Sequence, residues 1–431
     1  MLAGIVRRIM PENMYLKTSL FLHFRLFRKE IQLTQEYARQ ISMKPRKDRI
    51  TVVFVIWAES MWNSLRSVYE HMNQDERFAT YIIAQPHITD RMGKENQNPC
   101  FAFLSAFYGN VINAYTDGVW FDLTSLNPDY VFYTYPYISC YCEAYNPENV
   151  RKYAKVCLIQ YGFNLLGNAM FTYGYNFLFS KNVAIQFVSC VSAHKKLGKY
   201  YGKIEGEYPR IECLGFPRFD LVERRDLPPL KIEPYSQKPC VLWTPRWSAP
   251  SERAYDTGSS FLAYRKDFLA FAESHKGVSF IIRPHPLMFQ NFIARGIMSQ
   301  SEVDAFRLQC AALGNVTIDE SADYLVSIGK ASIFLADLSS LLAEFFVTGK
   351  PVIFCAEGKD FIPEAKIMDS ALYHAKSWDA AESLLTKLLS GEDEMCEIRL
   401  AAIREFLPQK SGTSAESILS FIKEDYYGTE Q

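Results

Sequence analysis

The chain has 431 residues, 48% of them apolar, and a formal net charge of -1. That length exceeds one typical domain, and that charge excludes a surface built throughout for nucleic acid, so two or three globular units without a nucleic-acid partner are expected. Ten cysteines occur without a CxxC pair, a pattern that excludes metal-finger spacing, implies no metal site, and reads as reduced thiols in the cytosol.

In chain order, the first feature is a concentration of positive charge. Eleven Lys and Arg stand against four acids from Met1 to Ile50, a net of +7 that leaves -8 for the remainder. Within it, LKTSLFLHFRLFRKE interleaves Leu20, Phe21, Leu22, Phe24, Leu26 and Phe27 with Lys17, Arg25, Arg28 and Lys29. Residues 1–48 are therefore expected to form a basic helical arm. Its composition fits either an interfacial helix on an anionic membrane surface or a helix packed on the protein's own domain with solvated arginines. No run of about 18 apolar residues follows and the N-terminus lacks an uninterrupted signal-peptide core, so the expectation is a cytoplasmic protein, peripheral on the inner face of the membrane if the arm binds lipid.

ITVVFVI, FATYIIA, DYVFYTYPY, KVCLIQ, Ala184 to Cys190 and RIEC then read as strands separated by helical stretches such as Met61 to Met72 and Asn98 to Tyr108. Such alternation implies a mostly parallel sheet covered on both faces, here over residues 49–225. DLPPLKIEPYSQK, residues 226–238, reads as a linker. From 239 to 431 the pattern restarts with CVLWTP, VSFIIRPHP, NVTID, and the strand, helix and strand of KASIFLADLSSLLAEFFVTGKPVIFC; three helical segments close the chain. The expected fold class is α/β, two Rossmann-like domains facing a central cleft, with ligands at the carboxyl ends of the strands.

Three loops of the second domain fall at such ends. WTPRWS supplies Arg246, a partner for a diphosphate. IIRPHP supplies Arg283 and His285, the latter fixed between two prolines and able to give or take a proton near neutral pH. ADLSS supplies Asp337, Ser339 and Ser340 where a helix opens, with Glu344 one turn further in to reach ribose hydroxyls. Each has a structural alternative: Asp337 or Ser339 as a helix cap, His285 bonded to a neighbouring backbone. In the first domain Glu59 ends the first strand, where an acceptor base would sit, and Tyr133, Tyr135 and Tyr137 alternate as on a strand face, the last two suited to an acceptor groove.

ADLSSLLAEFFVTGKPVIF, IIRPHP, WTPRWS and KVCLIQYGFNL, in these relative positions, resemble the CDP-glycerol glycerophosphotransferase family, enzymes that polymerise teichoic acids and related capsule backbones; AESMWNSLRSVYEHMNQDERF is similar to a branch of it. The resemblance implies a GT-B architecture, no cofactor or metal beyond the nucleotide-activated donor, and a lipid-linked or glycan acceptor whose hydroxyl attacks the glycerol-bearing phosphate as CMP departs. By that likeness His285 matches the histidine of an RxHP-like loop. Ser339, Ser340 and Glu344 match a D-x-S-S-x-x-x-[DE] nucleotide loop, and Arg246 a basic position after a strand-end proline. One position departs. Where the family carries a first-domain histidine in an HGTPLK-like loop, this chain has IQYGFNL, and Tyr161, with a phenol pKa near 10, is a poor base at neutral pH. Glu59 is then the candidate base, while a nucleotide-sugar glycosyltransferase and a non-catalytic member of a capsule assembly complex are the alternatives.

Overall fold

A computed structural model describes residues 12–88, 98–163, 177–201, 210–222, 238–248, 258–321, 323–355, 361, 365–408 and 412–428. The chain divides into two compact units, one of Met1–Gly162, Asn168–Arg218 and Lys410–Gln431, the other of Phe163–Gly167 and Phe219–Gln409. Apart from Lys238, the expected linker at 226–238 lies outside the described residues.

In the first unit β1 (Ile50–Ile56) is buried at every position, as a seven-residue apolar run must be if both faces of its sheet are covered. It pairs in parallel with β2 (Phe78–Ala84) on one side and, on the other, with β6 (Tyr130–Tyr133). β3 (Val111–Asn113) extends the first side, and β7 (Lys155–Ile159), β8 (Ile185–Phe187) and β9 (Arg210–Glu212) extend the second, giving the order β3-β2-β1-β6-β7-β8-β9. β4 (Tyr115–Thr116) and β5 (Val119–Trp120) form a separate antiparallel ribbon. The second unit repeats the plan. β10 (Cys240–Thr244), β11 (Ser279–Ile282), β12 (Val316–Ile318), β13 (Ile333–Ala336), β14 (Val352–Phe354) and β15 (Tyr373–His374) make a parallel sheet ordered β12-β11-β10-β13-β14-β15. In each, the chain starts in the middle, runs outward, then returns to the other side of its first strand. The reversal points, β1/β6 and β10/β13, are where open α/β sheets bind ligands.

At the C-terminal end one expectation changes, and at the N-terminal end one of the two alternatives is met. The second unit stops at Gln409 rather than at the C-terminus, because the helix Ser414–Tyr427 packs on the first unit. There Asp425 meets the leading residues of three strands: it pairs with Lys155 at 2.5 Å and Arg210 at 2.7 Å, and accepts from the Tyr130 hydroxyl at 2.6 Å. Lys423 pairs with Asp75, and Tyr426 accepts from the Lys47 amide at 2.8 Å. At the other end, the helix Glu12–Ser42 lays Ile31, Thr34 and Ile41 inward. Arg151 donates to Glu30 O at 3.1 Å and Thr34 Oγ1 at 2.6 Å, and Lys181 pairs with Glu30. This side of the arm thus packs on its own unit, while Arg25, Leu26, Lys29 and Leu33 face solvent.

The sheet in the first unit also ends earlier than the tyrosine alternation implied. β6 stops at Tyr133, and the Tyr137 amide donates to Tyr135 O at 3.0 Å in a turn. The helix expected from Met61 to Met72 breaks into Glu59–Trp62 and Arg66–Gln74.

Candidate functional site

In the second unit the three loops meet because their strands are neighbours. The Arg283 amide donates to Trp243 O at 2.8 Å and the His285 amide to Pro245 O at 3.1 Å, which ties the β11 loop to the β10 loop. Asp337, beyond β13, ties the third. It is almost wholly buried, and its Oδ2 accepts from the Arg246 amide at 2.7 Å and the Ser260 amide at 2.9 Å. Burial pushes this carboxyl up, opposed by those hydrogen bonds. Asp337 therefore neither caps the helix nor faces a ligand; it holds the backbone of Arg246 in place.

What the loops present are donors. Nε and Nη1 of Arg246 are buried and find no hydrogen-bond partner among the described residues, and the same holds for Ser339 Oγ. Buried donors of this kind cost free energy unless paired, so they suit an anion with several oxygens. Ser340 precedes the helix Leu341–Phe346 and makes no side-chain cap bond. With only six residues that helix contributes a weak dipole, so the guanidinium carries most of the local positive charge.

His285 lies beside this guanidinium. Burial first, and the charge of Arg246 second, lower its pKa to about 4, so the ring is neutral at pH 7. Its Nδ1 accepts from the Leu287 amide at 3.2 Å. The proton of the neutral ring is then on Nε2, which acts as a donor and not as a base. The Trp247 ring stands 6.2 Å from the imidazole, centroid to centroid.

Two expected ligand residues are engaged elsewhere. Arg283 donates to Asp319 at 2.5 Å and to Ser321 O at 2.6 Å; burial opposes ionisation of Asp319, yet bonds from Ser321, Ser327 and Arg283 hold it down at about 2. This arginine braces the β11 and β12 ends rather than offering a diphosphate contact. Glu344 is fully buried and accepts from the Tyr324 hydroxyl, so a ribose would reach it only if that tyrosine moved.

Glu59 belongs to the first unit. Half-buried, it opens the short helix that follows β1, and its charge adds to the burial that pushes the Cys100 thiol up to about 12. Burial also raises the Tyr161 phenol above its ordinary value, which makes it a still poorer base. Around Tyr135 the sequence reading missed two partners, Trp57 and His87: Trp57 lies 5.2 Å from Tyr135 and 4.4 Å from His87. Their positions just past β1 and β2 were the available signal. Among the described residues no group of His, Cys, Asp and Glu could hold a metal ion, and no helix is long and apolar enough to cross a membrane.

No family model matches the chain, and no curated protein matches its sequence. Solved structures do. A UDP-GlcNAc 2-epimerase from Neisseria meningitidis bound to UDP-GlcNAc superposes with a TM-score of 0.56 at 12% identity, covering 87% of this chain and 100% of that one. The S. aureus protein MnaA with UDP gives 0.54 at 10%, over 89% and 98%. The wall teichoic acid polymerase TagF gives 0.53 at 14%, over 95% and 98%. Together with the two repeated strand orders, these likenesses show an α/β fold of two Rossmann-like units, of the GT-B type.

Proposed function

We propose that the protein is a transferase that moves glycerol phosphate, or another polyol phosphate, from a CDP-activated donor to a hydroxyl of a cell-surface polymer precursor, releasing CMP. The observation that carries this reading is the set of donors at the ends of β10, β11 and β13: Arg246 and Ser339, whose donors find no partner among the described residues, with the Nε2–H of His285 beside them. The motif resemblance supplies the donor class, and the likeness to a teichoic acid polymerase agrees with it. In the reaction the acceptor oxygen forms a bond to the polyol-bearing phosphorus as the bond from that phosphorus to the bridging oxygen breaks. CMP leaves with the electron pair. Arg246 offsets the charge that gathers on the leaving phosphate, His285 donates a hydrogen bond to it, and Ser339 positions it. Asp337 acts behind them by fixing the Arg246 backbone. The acceptor hydroxyl gives up its proton to a general base, a role for which Glu59 is the candidate.

The donor is the point on which a second reading stands. Because the fold is equally similar to an epimerase bound to UDP-GlcNAc, a nucleotide-sugar glycosyltransferase would use the same pocket. The exposed Arg25, Leu26, Lys29 and Leu33 support attachment of the arm to an anionic membrane surface at the cytoplasmic face, where a lipid-linked acceptor would be presented. Incubation with CDP-glycerol and a lipid-linked or glycan acceptor in anionic vesicles is expected to release CMP. Release of UDP or UMP from a UDP-sugar instead would replace the first reading with the second. No release of nucleotide from either kind of donor would leave an assembly factor. A protein lacking residues 1–48 that still sediments with the vesicles would remove the membrane contact.

A further inference from the structure

The donor pocket leaves unused the carboxyl end of the other sheet, where four neighbouring strands each deliver an aromatic ring. Trp57 follows β1, His87 follows β2, Tyr135 and Tyr137 follow β6, and Tyr161 follows β7. Tyr135 is the centre: its ring lies 5.2 Å from Trp57, 4.6 Å from Tyr137 and 5.1 Å from Tyr161. The cluster spans the β1/β6 reversal, the place at which open α/β sheets take their ligands. Core aromatics would be covered, but Tyr137 and Tyr161 are 40% and 45% exposed. At the same strand ends, Gln85 Oε1 and Thr134 Oγ1 are buried without a hydrogen-bond partner among the described residues.

We propose that these rings form a carbohydrate-binding shelf, on which one sugar ring of the acceptor packs its C–H face against Tyr135, Tyr137 and Tyr161 while its hydroxyls bond to the phenol groups. As the acceptor subsite this rests on the transferase reading; as a sugar site it does not. The chemistry separates a sugar from the other aromatic-seeking ligands. A planar base is gripped between parallel faces, whereas Trp57, Tyr137 and Tyr161 are tilted by 80°, 41° and 59° relative to Tyr135, so none of them offers a face parallel to it. An acyl chain needs no hydroxyls, yet each exposed ring here ends in one. Burial pushes the Tyr135 phenol up to about 12, so it stays protonated and donates. A sugar alone has both an apolar face for the rings and a rim of hydroxyls for phenols, Gln85 and Thr134. Trp57, at the edge of the shelf, stands two residues before Glu59 in the chain.

The test uses the full-length protein and an array of mono- to hexasaccharides, followed by calorimetric titration of the best-retained glycan. Tyr161→Ala and Tyr137→Ala, both exposed positions whose loss the fold should survive, are each expected to weaken that glycan at least tenfold. Tyr161→Phe should cost only a few-fold, because the stacking face remains and one hydroxyl is lost. Binding of CDP-glycerol in the second unit is expected to be unchanged in all three. An array without a retained glycan overturns the proposal, as does equal glycan affinity in the alanine variants. Retention of neutral lipid vesicles instead, lost in the same variants, would overturn it in favour of a lipid. Glycan binding that depends on these rings in a protein that releases no CMP would keep the shelf and reject the transferase.

Discussion

The two sheets share a strand order and differ in what stands at their carboxyl ends. In the second unit the reversal point carries a guanidinium, an imidazole and a serine with unspent donors; in the first it carries indole, imidazole and phenol rings. Backbone topology selects the same place twice, and side chains alone decide whether that place suits charge or rings. The units also differ in how a buried ion group closes them. In the second, the fully buried Arg399 donates to Gly349 O, 50 residues before it, at 2.9 Å and pairs with Asp393. In the first, Asp425 reaches Lys155 and Arg210 from a helix more than 200 residues away in sequence.

The sharpest way to break the contrast in chemistry is at His285. If its Nε2–H bonds to the departing phosphate, His285→Ala should lower kcat roughly 10²- to 10⁴-fold, the range for a positioned proton or hydrogen-bond donor, with a smaller change in KM for the donor. His285→Gln should recover part of the loss, since an amide restores a donor without a titratable ring. Steady-state CMP release separates the outcomes. Equal activity in all three proteins would mean that the second reversal point is no more catalytic than the first.

The parts of this contrast that could be read from sequence are those written in local pattern. The apolar runs ITVVFVI, CVLWT and IFLA announce buried parallel strands, and the loops after CVLWT, SFII and IFLA are placed by those strands. The partnerships are not local. Asp337 looks like a cap or an anion ligand because its neighbours are Leu338 and Ser339, but its bond to Ser260 spans 77 residues. Arg283 looks available until Asp319, 36 residues on, is brought alongside. Tyr133, Tyr135 and Tyr137 have the period of a strand, yet Pro136 and the turn at Tyr137 turn two of the three into a loop. The last helix has no local sign of which unit it completes, because charge partners in strands far upstream decide it.

That last point gives the next test, which sharpens the difference in how the units are closed. Asp425→Ala leaves the Lys155 ammonium buried with its carboxylate gone, a change that typically costs about 3–5 kcal/mol. The loss should be confined to the first unit. Hydrogen exchange would show faster opening in β6 and β7 and unchanged protection in β10 and β13, since a two-unit chain need not unfold in one step. Uniform loss across both sheets would show that the helix stabilises the chain as a whole.

The smallest expected effect is the dependence of donor binding on pH, and its sign follows from the environment of His285. Without ligand the ring titrates at about 4, held down by burial and then by Arg246. A diphosphate beside Arg246 offsets that positive charge and accepts a hydrogen bond, both of which favour the imidazolium, so the pKa is higher with ligand than without. Binding must then take up a proton between the two values. Affinity should rise as pH falls from about 6.5 towards 4, by less than tenfold per unit, and be flat above 7, where the ring is neutral in both states. Without ligand the linkage has the opposite consequence: the unfolded imidazole takes its proton first, so the contribution of this ring to stability, full above about 6.5, is lost as pH falls towards 4. The diphosphate of CDP-glycerol is esterified at both ends and has no proton to exchange in this window, and the cytosine ring, which protonates at its acid end, is the same ligand group in the comparison with His285→Gln. Titrations in buffers of different ionisation enthalpy would count the proton taken up, and His285→Gln should abolish it. The same uptake in the glutamine variant would move the titration to another group, and with it the assignment of the imidazole to the phosphate.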